Sequence, residues 1–283
     1  MTKILYSSLN HTEAQFIHGA FLSAFSDYFV PAYMPYDKFT AFLSANGFAP
    51  SLSAGAFVGG GLRAFILNGI RELDGELTAY NAGTGVLPEY RRQGLTKDMF
   101  AYCLPLLKAA GAKRYVLEVI QQNEPALALY KGLGFSVTRE LICYSVNKDR
   151  LCAEETAARL ADAGGICADV QRFWDYSPTW QNTFDSINAV PGQHAAAVIE
   201  YSSGFAGYGI INVNTGRVAQ LAVRSDCRGR GLGSQLLCSL AQQAETECVS
   251  FLNVDGGCAS MRGFATKHGF EENIRQYEMA LDI

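Results

Sequence analysis

The stretch "VLPEYRRQGLT", residues 86–96, returns later in the same chain as "VRSDCRGRGLG", residues 223–233. In each, a valine is followed five residues on by an arginine and three further by a glycine, and Arg91 and Arg228 stand 137 residues apart. A second pair of landmarks agrees. "LYKGLGF" (129–135) and "FATKHGF" (264–270) both close on Gly-Phe, with an offset of 135. Two landmarks with nearly one offset predict a duplicated domain. The charged stretch "NKDRLCAEE" marks the expected boundary, giving one domain over 1–148 and a second over 149–283.

Outward from the first loop, hydrophobic periodicity predicts helices over "TEAQFIHGAFLSAF" and "PYDKFTAFLSANG", then strands over "LSAGAF", "LRAFILNGI" and "ELTAYNAGTGV" with Gly-rich or Asp-Gly turns between them. After the loop come a helix, "TKDMFAYCLPLLKAAG", kinked near Pro105, the buried strand "RYVLEVI", the helix "PALALYKGLG" and the strand "ELICYSV". The second copy repeats this from "HAAAVIEYS" to "RQYEMALDI", although its front end, "ICADVQRFWDYSPTW", lacks a clear period. The fold class is α/β (α+β): two tandem domains, each a mixed, mostly antiparallel central sheet flanked by helices.

Composition narrows the function. The 283 residues are 49% hydrophobic and 18% charged, which is globular rather than disordered. A net charge of −4 gives no electrostatic case for nucleic acid or an anionic membrane. No secretory signal and no apolar run long enough to span a bilayer is legible, so the expected location is the cytoplasm, as a monomer or homodimer. The eight cysteines form no CxxC pair and no zinc spacing, so neither disulfides nor a metal are expected.

A strand running into Arg-x-x-Gly-x-small at the start of a helix offers several free backbone N–H groups, and such a terminus favours phosphate. Gly231 and Gly233 permit close approach, and Arg228 and Arg230 can add charge. The glycines at 229, 231 and 233 do not fit a dinucleotide fingerprint, and no ATP-binding G-x-x-x-x-G-K-[ST] is present.

Taken together, "VLPEYRRQGLT", "LEV", Asn123 and "ALALYKGLGF" resemble the GNAT superfamily of acyl-CoA N-acyltransferases, and the duplication resembles its tandem members. The resemblance implies acetyl-CoA as co-substrate, bound between two splayed parallel strands with its pyrophosphate on the loop. Carried over, the first loop is Arg91, Arg92, Gln93, Gly94, Leu95 and Thr96, where Thr96 departs from the family's Gly or Ala. The second is Arg228, Gly229, Arg230, Gly231, Leu232 and Gly233, following Val223.

Amide formation needs a base, an oxyanion donor and an acid for the departing thiolate. By the same resemblance Tyr130 is the acid, Glu118 the base, the Val86 N–H the oxyanion donor, and Asn123 either a helix cap or a pantetheine contact. The second copy has Ala265 and Asn253 where the first has Tyr130 and Glu118, so the first domain is expected to hold the chemistry. Asp255, Cys258 and His268 are the nearest substitutes there. Aromatic residues before and within the second helix, Tyr28, Phe29 and Tyr33 among them, are expected over a pocket for a small-molecule or peptide amine, with Asp27 or Asp37 attracting its charge. Trp174, Tyr176 and Trp180 are a looser counterpart. Two rival readings stand: an active site in the second domain, as in the similar mycothiol synthases, and a non-catalytic acyl-CoA sensor.

Overall fold

Asp74 and Gly75, at φ +52 and +82, turn the chain back on itself between two long strands, as an Asp-Gly hairpin requires. The computed structural model describes residues 3–27, 33–151, 156–166, 168–202 and 204–283. In chain order the elements are β1 (Ile4–Ser8), α1 (Ala14–Ala24), α2 (Tyr36–Ala45), β2 (Ala54–Val58), β3 (Gly61–Leu73), β4 (Glu76–Val86), α3 (Leu95–Ala109), β5 (Arg114–Ile120), α4 (Glu124–Gly132) and β6 (Ser136–Asn147). There follow β7 (Arg159–Asp162), α5 (Phe184–Asn188), β8 (His194–Tyr201), β9 (Gly204–Asn212), β10 (Arg217–Val223), α6 (Leu232–Ala241), β11 (Cys248–Asp255), α7 (Ala259–Lys267) and β12 (Glu271–Asp282). Helix α3 runs unbroken through Pro105. The aperiodic front end of the second copy forms 3-10 turns, including Ala168–Phe173, where the first copy has α1.

Two compact units emerge, but they are not the continuous segments 1–148 and 149–283. One holds the residues up to Thr138 together with Glu278–Ile283, and the other holds Arg139–Tyr277. Strand β6 follows the first copy in sequence yet pairs antiparallel with β11, and its Ile142, Tyr144 and Val146 enter the second unit's core. The end of β12 lies in the first unit, where Ile283 N–H donates to the Lys113 carbonyl at 2.9 Å. Most of β6 thus belongs to the second unit and the end of β12 to the first, which no local pattern in "ELICYSV" could signal.

In the first unit the strands run β1-β2-β3-β4-β5. Ala64, Phe65, Ile66 and Leu67 of β3 are all fully buried. Phe65 and Leu67 join Ile17, Phe21, Phe39 and Leu43 of α1 and α2, while α3 packs on β2 and β3. In the second unit the order is β7-β8-β9-β10-β11-β6. Ala197 and Ile199 face Leu236 and Leu240 of α6, whereas Ala196 and Val198 face Val170, Phe173 and Ile187. The period of two along β8 sends alternate side chains to opposite faces, so a sheet covered on both sides reads as the continuous apolar run "AAAVI".

One arrangement occurs in both units and positions the site. Strands β4 and β5 are parallel, and their ladder stops at Tyr80↔Val116, although β4 continues to Val86 and β5 to Ile120. Strands β10 and β11 stop at Val218↔Phe251. Just past each stop one residue is left unpaired in the antiparallel ladder on the other side: Ala82, between Leu67↔Gly83 and Asn68↔Asn81, and Ala219, between Val218↔Ile211 and Gln220↔Ile210. A bulge bends and twists its strand, so the parallel partners part there.

Candidate active site

Each loop enters its helix through a left-handed residue. Gly94 (φ +82) and Gly231 (φ +79) are the N-caps of α3 and α6, with Arg92 (φ +59) and Gly229 (φ +74) two residues before them. A Cβ added at Gly94, Gly229 or Gly231 would meet nothing within 4 Å. The open space therefore lies over unsatisfied N–H groups at a positive helix end, and these residues fit a pyrophosphate. Gly233 has a different cause: a Cβ there would approach Phe264 of α7 to 3.1 Å. The first copy carries Leu129 in place of Phe264, so Thr96 answers to a different helical neighbour.

The leading arginines are engaged within their own units. The Arg91 guanidinium donates to both carboxylate oxygens of Asp27 at 2.6 Å, to the Ala24 carbonyl at 3.0 Å and, through Nε, to the Val86 carbonyl at 3.2 Å. Its bond to Arg91 holds the Asp27 carboxyl below the usual range. Arg228 repeats the pattern, donating to Asp175 at 2.6 Å, the Phe173 carbonyl at 2.8 Å and the Val223 carbonyl at 2.9 Å.

Ladder parity orients the next donor. Leu87 N–H donates to the Arg63 carbonyl, so Arg63 and Leu87 are a bonded pair and the neighbouring Val86↔Ala64 pair is not. The Val86 N–H consequently points away from β3, toward the side on which β4 and β5 have parted. Arg224 N–H to the Ala206 carbonyl does the same for Val223.

Glu118 lies on β5 two residues beyond the last ladder pair, half-buried, and the Tyr80 phenol donates to its Oε2 at 2.5 Å. Tyr80 is 1% exposed and absent from the sequence expectation; its only signal was a lone tyrosine on the strand that parts from the glutamate's own. Tyr130 on α4 is buried with its ring edge-on to Phe100 and Phe135 at 6.0 and 5.8 Å. Asn123 caps α4, its side chain accepting from Ala126 N–H at 3.3 Å. In the second unit Asn253 sits at φ +59 in a β11 irregularity and accepts from Gln276 Nε2 at 2.7 Å, and Ala265 is fully buried. The nearby candidates have other partners: Asp255 pairs with Arg139, Cys258 meets Ser260, and His268 meets Ser234 at 2.9 Å with burial lowering its pKa.

A cavity of about 420 Å³ opens in the second unit. It is walled by β10 from Ala219 to Val223, by the loop and first turn of α6, by Met261 and Phe264 of α7, and by Trp174 and Tyr176. Beside it runs a buried polar chain: Trp174 Nε1–H donates to Tyr208 Oη at 2.6 Å, Tyr208 to Gln220 Oε1 at 2.8 Å, and Gln220 Nε2 to the Asn182 carbonyl at 2.7 Å. Burial raises the Tyr208 phenol, keeping it a neutral donor. Trp180 is core and does not line the cavity.

Of the expected acceptor aromatics, Tyr28 and Phe29 lie outside the described residues, and Tyr33 is 83% exposed. His18, not singled out from sequence, contacts the Met34 carbonyl through Nε2 at 2.7 Å and packs 5.0 Å from the Phe39 ring. Asp27 is bound to Arg91, as above. Among the described residues no helix is long and apolar enough to cross a membrane.

Both units thus share one architecture, parallel strands that part above a glycine-capped helix start. The acetyltransferase (GNAT) family model matches residues 18–135 and 168–270, and the chain belongs to that family, as a tandem member. In structure it is similar to a tandem GNAT protein from the clavulanic acid biosynthesis pathway, at TM-score 0.71 and 16% identity, covering 99% of this chain and 98% of the other. A GCN5-related N-acetyltransferase from Sphaerobacter thermophilus is similar at TM-score 0.70 and 15% identity, over 99% and 95% of the two chains. In sequence, N-alpha-acetyltransferase 30 of Schizosaccharomyces pombe is 35% identical over 71 residues, which is 25% of this chain and 47% of that relative.

Proposed function

We propose that the protein is an N-acetyltransferase that passes the acetyl group of acetyl-CoA directly to a primary amine, with the chemistry in the first unit. The observation that carries this reading is Glu118: a half-buried carboxylate beyond the end of the β4–β5 ladder, held by the Tyr80 phenol, where the second unit has a neutral Asn253 tied to Gln276. Glu118 takes the proton of the ammonium, leaving the nitrogen lone pair free to form the C–N bond. The Val86 N–H donates to the carbonyl oxygen as it becomes an oxyanion. Tyr130 gives its proton to sulfur as the C–S bond breaks. Gly94 and the first turn of α3 hold the pyrophosphate.

The test is CoA release from acetyl-CoA with a panel of small amines and peptides bearing a free α-amino group, the latter included because of the N-alpha-acetyltransferase relative. Loss of turnover in Glu118→Gln and Tyr130→Phe, with acetyl-CoA binding kept, supports the assignment.

The second unit's cavity favours a second reading, in which the cofactor seat that matters is Gly229 to Gly233. It predicts that both first-unit variants turn over normally and that Gly231→Ala does not.

A further inference from the structure

The leading arginine of a phosphate loop invites assignment as a charge for the phosphate, yet both copies place it in the same other set of contacts. We propose that Arg91 and Arg228 are positioning residues, each a strut that seats its loop through a carboxylate, Asp27 or Asp175, and not ligands of the cofactor. This rests on the reading that the loops hold the pyrophosphate of acetyl-CoA.

Three observations carry it. First, each guanidinium joins the same three places in its unit: the carbonyl of the valine ending the strand before the loop, a carbonyl of the segment preceding the Asp, and the Asp carboxylate. A planar fork is suited to such a junction, whereas an ammonium is not.

Second, the two struts are built from unequal sequence. The loops correspond with an offset of 137, but Asp27 and Asp175 are 148 apart, and Asp27 follows helix α1 while Asp175 follows a 3-10 turn. Two front ends of different length and structure nonetheless supply an acid and a carbonyl to the same guanidinium.

Third, the valine that each strut holds is the one whose N–H faces the parted strands, so the junction fixes the loop and that donor together. An exposed ion pair alone contributes little to stability, so the effect is expected in ligand seating and not in folding.

The decisive variants are Asp27→Asn and Asp175→Asn, because each removes the charge that engages the arginine and keeps the size of the side chain; Asp175 also borders the second unit's cavity and accepts from Ser260 at 2.7 Å, so its variant is read beside Arg228→Lys. Binding of acetyl-CoA and of acetyl-pantetheine, which lacks the pyrophosphate, is measured calorimetrically on the full chain, together with Tm. A strut predicts that at least one Asn variant weakens acetyl-CoA about tenfold, leaves acetyl-pantetheine unchanged, and is matched by Arg→Lys in the same loop, with the double variant no weaker than either single one. If the arginine is a phosphate ligand, the Asn variants free it, acetyl-CoA binds as well or better, and Arg→Lys keeps most of the affinity; that result overturns the proposal. Equal weakening of both ligands, or a fall in Tm alone, overturns it as well, since that is general destabilisation. A wild-type chain that binds acetyl-pantetheine but gains nothing from the pyrophosphate refutes the underlying loop reading instead, and the strut with it.

Discussion

The Tyr80 phenol donates to Glu118 Oε2 at 2.5 Å from the strand that parts from the glutamate's own just beyond this point. A carboxylate oriented by this donor at the mouth of the wedge is placed to take a proton. Glu118→Gln is expected to lower kcat roughly a hundredfold or more, the usual size of a lost general base. Tyr80→Phe is expected to lower kcat less than Glu118→Gln does, because the carboxylate stays but loses the phenol that orients it. Initial rates for the three proteins at saturating acetyl-CoA check both; an unchanged kcat in Tyr80→Phe would leave Tyr80 a packing residue.

Gly94 and Gly231 each hold φ near +80 with open space at the Cβ position, so strain and ligand clearance can be separated. Alanine at either site costs about 1 kcal/mol in stability from the left-handed backbone alone. The added methyl also points into space assigned to phosphate, so acetyl-CoA affinity falls further in the unit that holds it. Chemical denaturation and calorimetric titration of the two variants read the two effects apart.

Installing the missing groups in the second unit is expected to fail. Ala265 is fully buried beside Phe270, so Ala265→Tyr overpacks the core and costs about 1–3 kcal/mol. Asn253→Glu would place a carboxylate at φ +59, in a site 1% exposed whose Gln276 partner donates one hydrogen bond. Denaturant midpoints below wild type, with no turnover gained in a Glu118→Gln background, are the expected results.

Stability has an acid-side dependence that one side chain predicts. Burial, with Arg217 nearby, lowers the His194 pKa from 6.5 to about 4. Between these values the unfolded chain binds a proton that the folded chain does not, so His194 contributes its stability above pH 6.5 and loses it as pH falls toward 4. The Tm of the wild type is expected to drop more steeply across this window than that of His194→Asn. Parallel slopes in a melt series would contradict it.

Much of this protein is legible along the chain. The spans of β4, β5 and β10 coincide with "ELTAYNAGTGV", "RYVLEVI" and "RVAQLAV", because period and turn residues are local properties. The doubled loop identified the repeat, since an αL glycine before a helix leaves a fixed spacing in sequence. Other features needed the third dimension. The place of β6 in the second unit is set by the sheet edge and core that receive its side chains, and "ELICYSV" suits either unit. The partner of Glu118 is 38 residues away on another strand. Arg91 and Arg228 read as charges for a phosphate until Asp27 and Asp175, 64 and 53 residues distant, closed on them. Sequence determined the repeat, the two loops and the spans of most strands and helices; tertiary structure decided which groups meet, because hydrogen bonds and ion pairs depend on distance in space and not on separation along the chain.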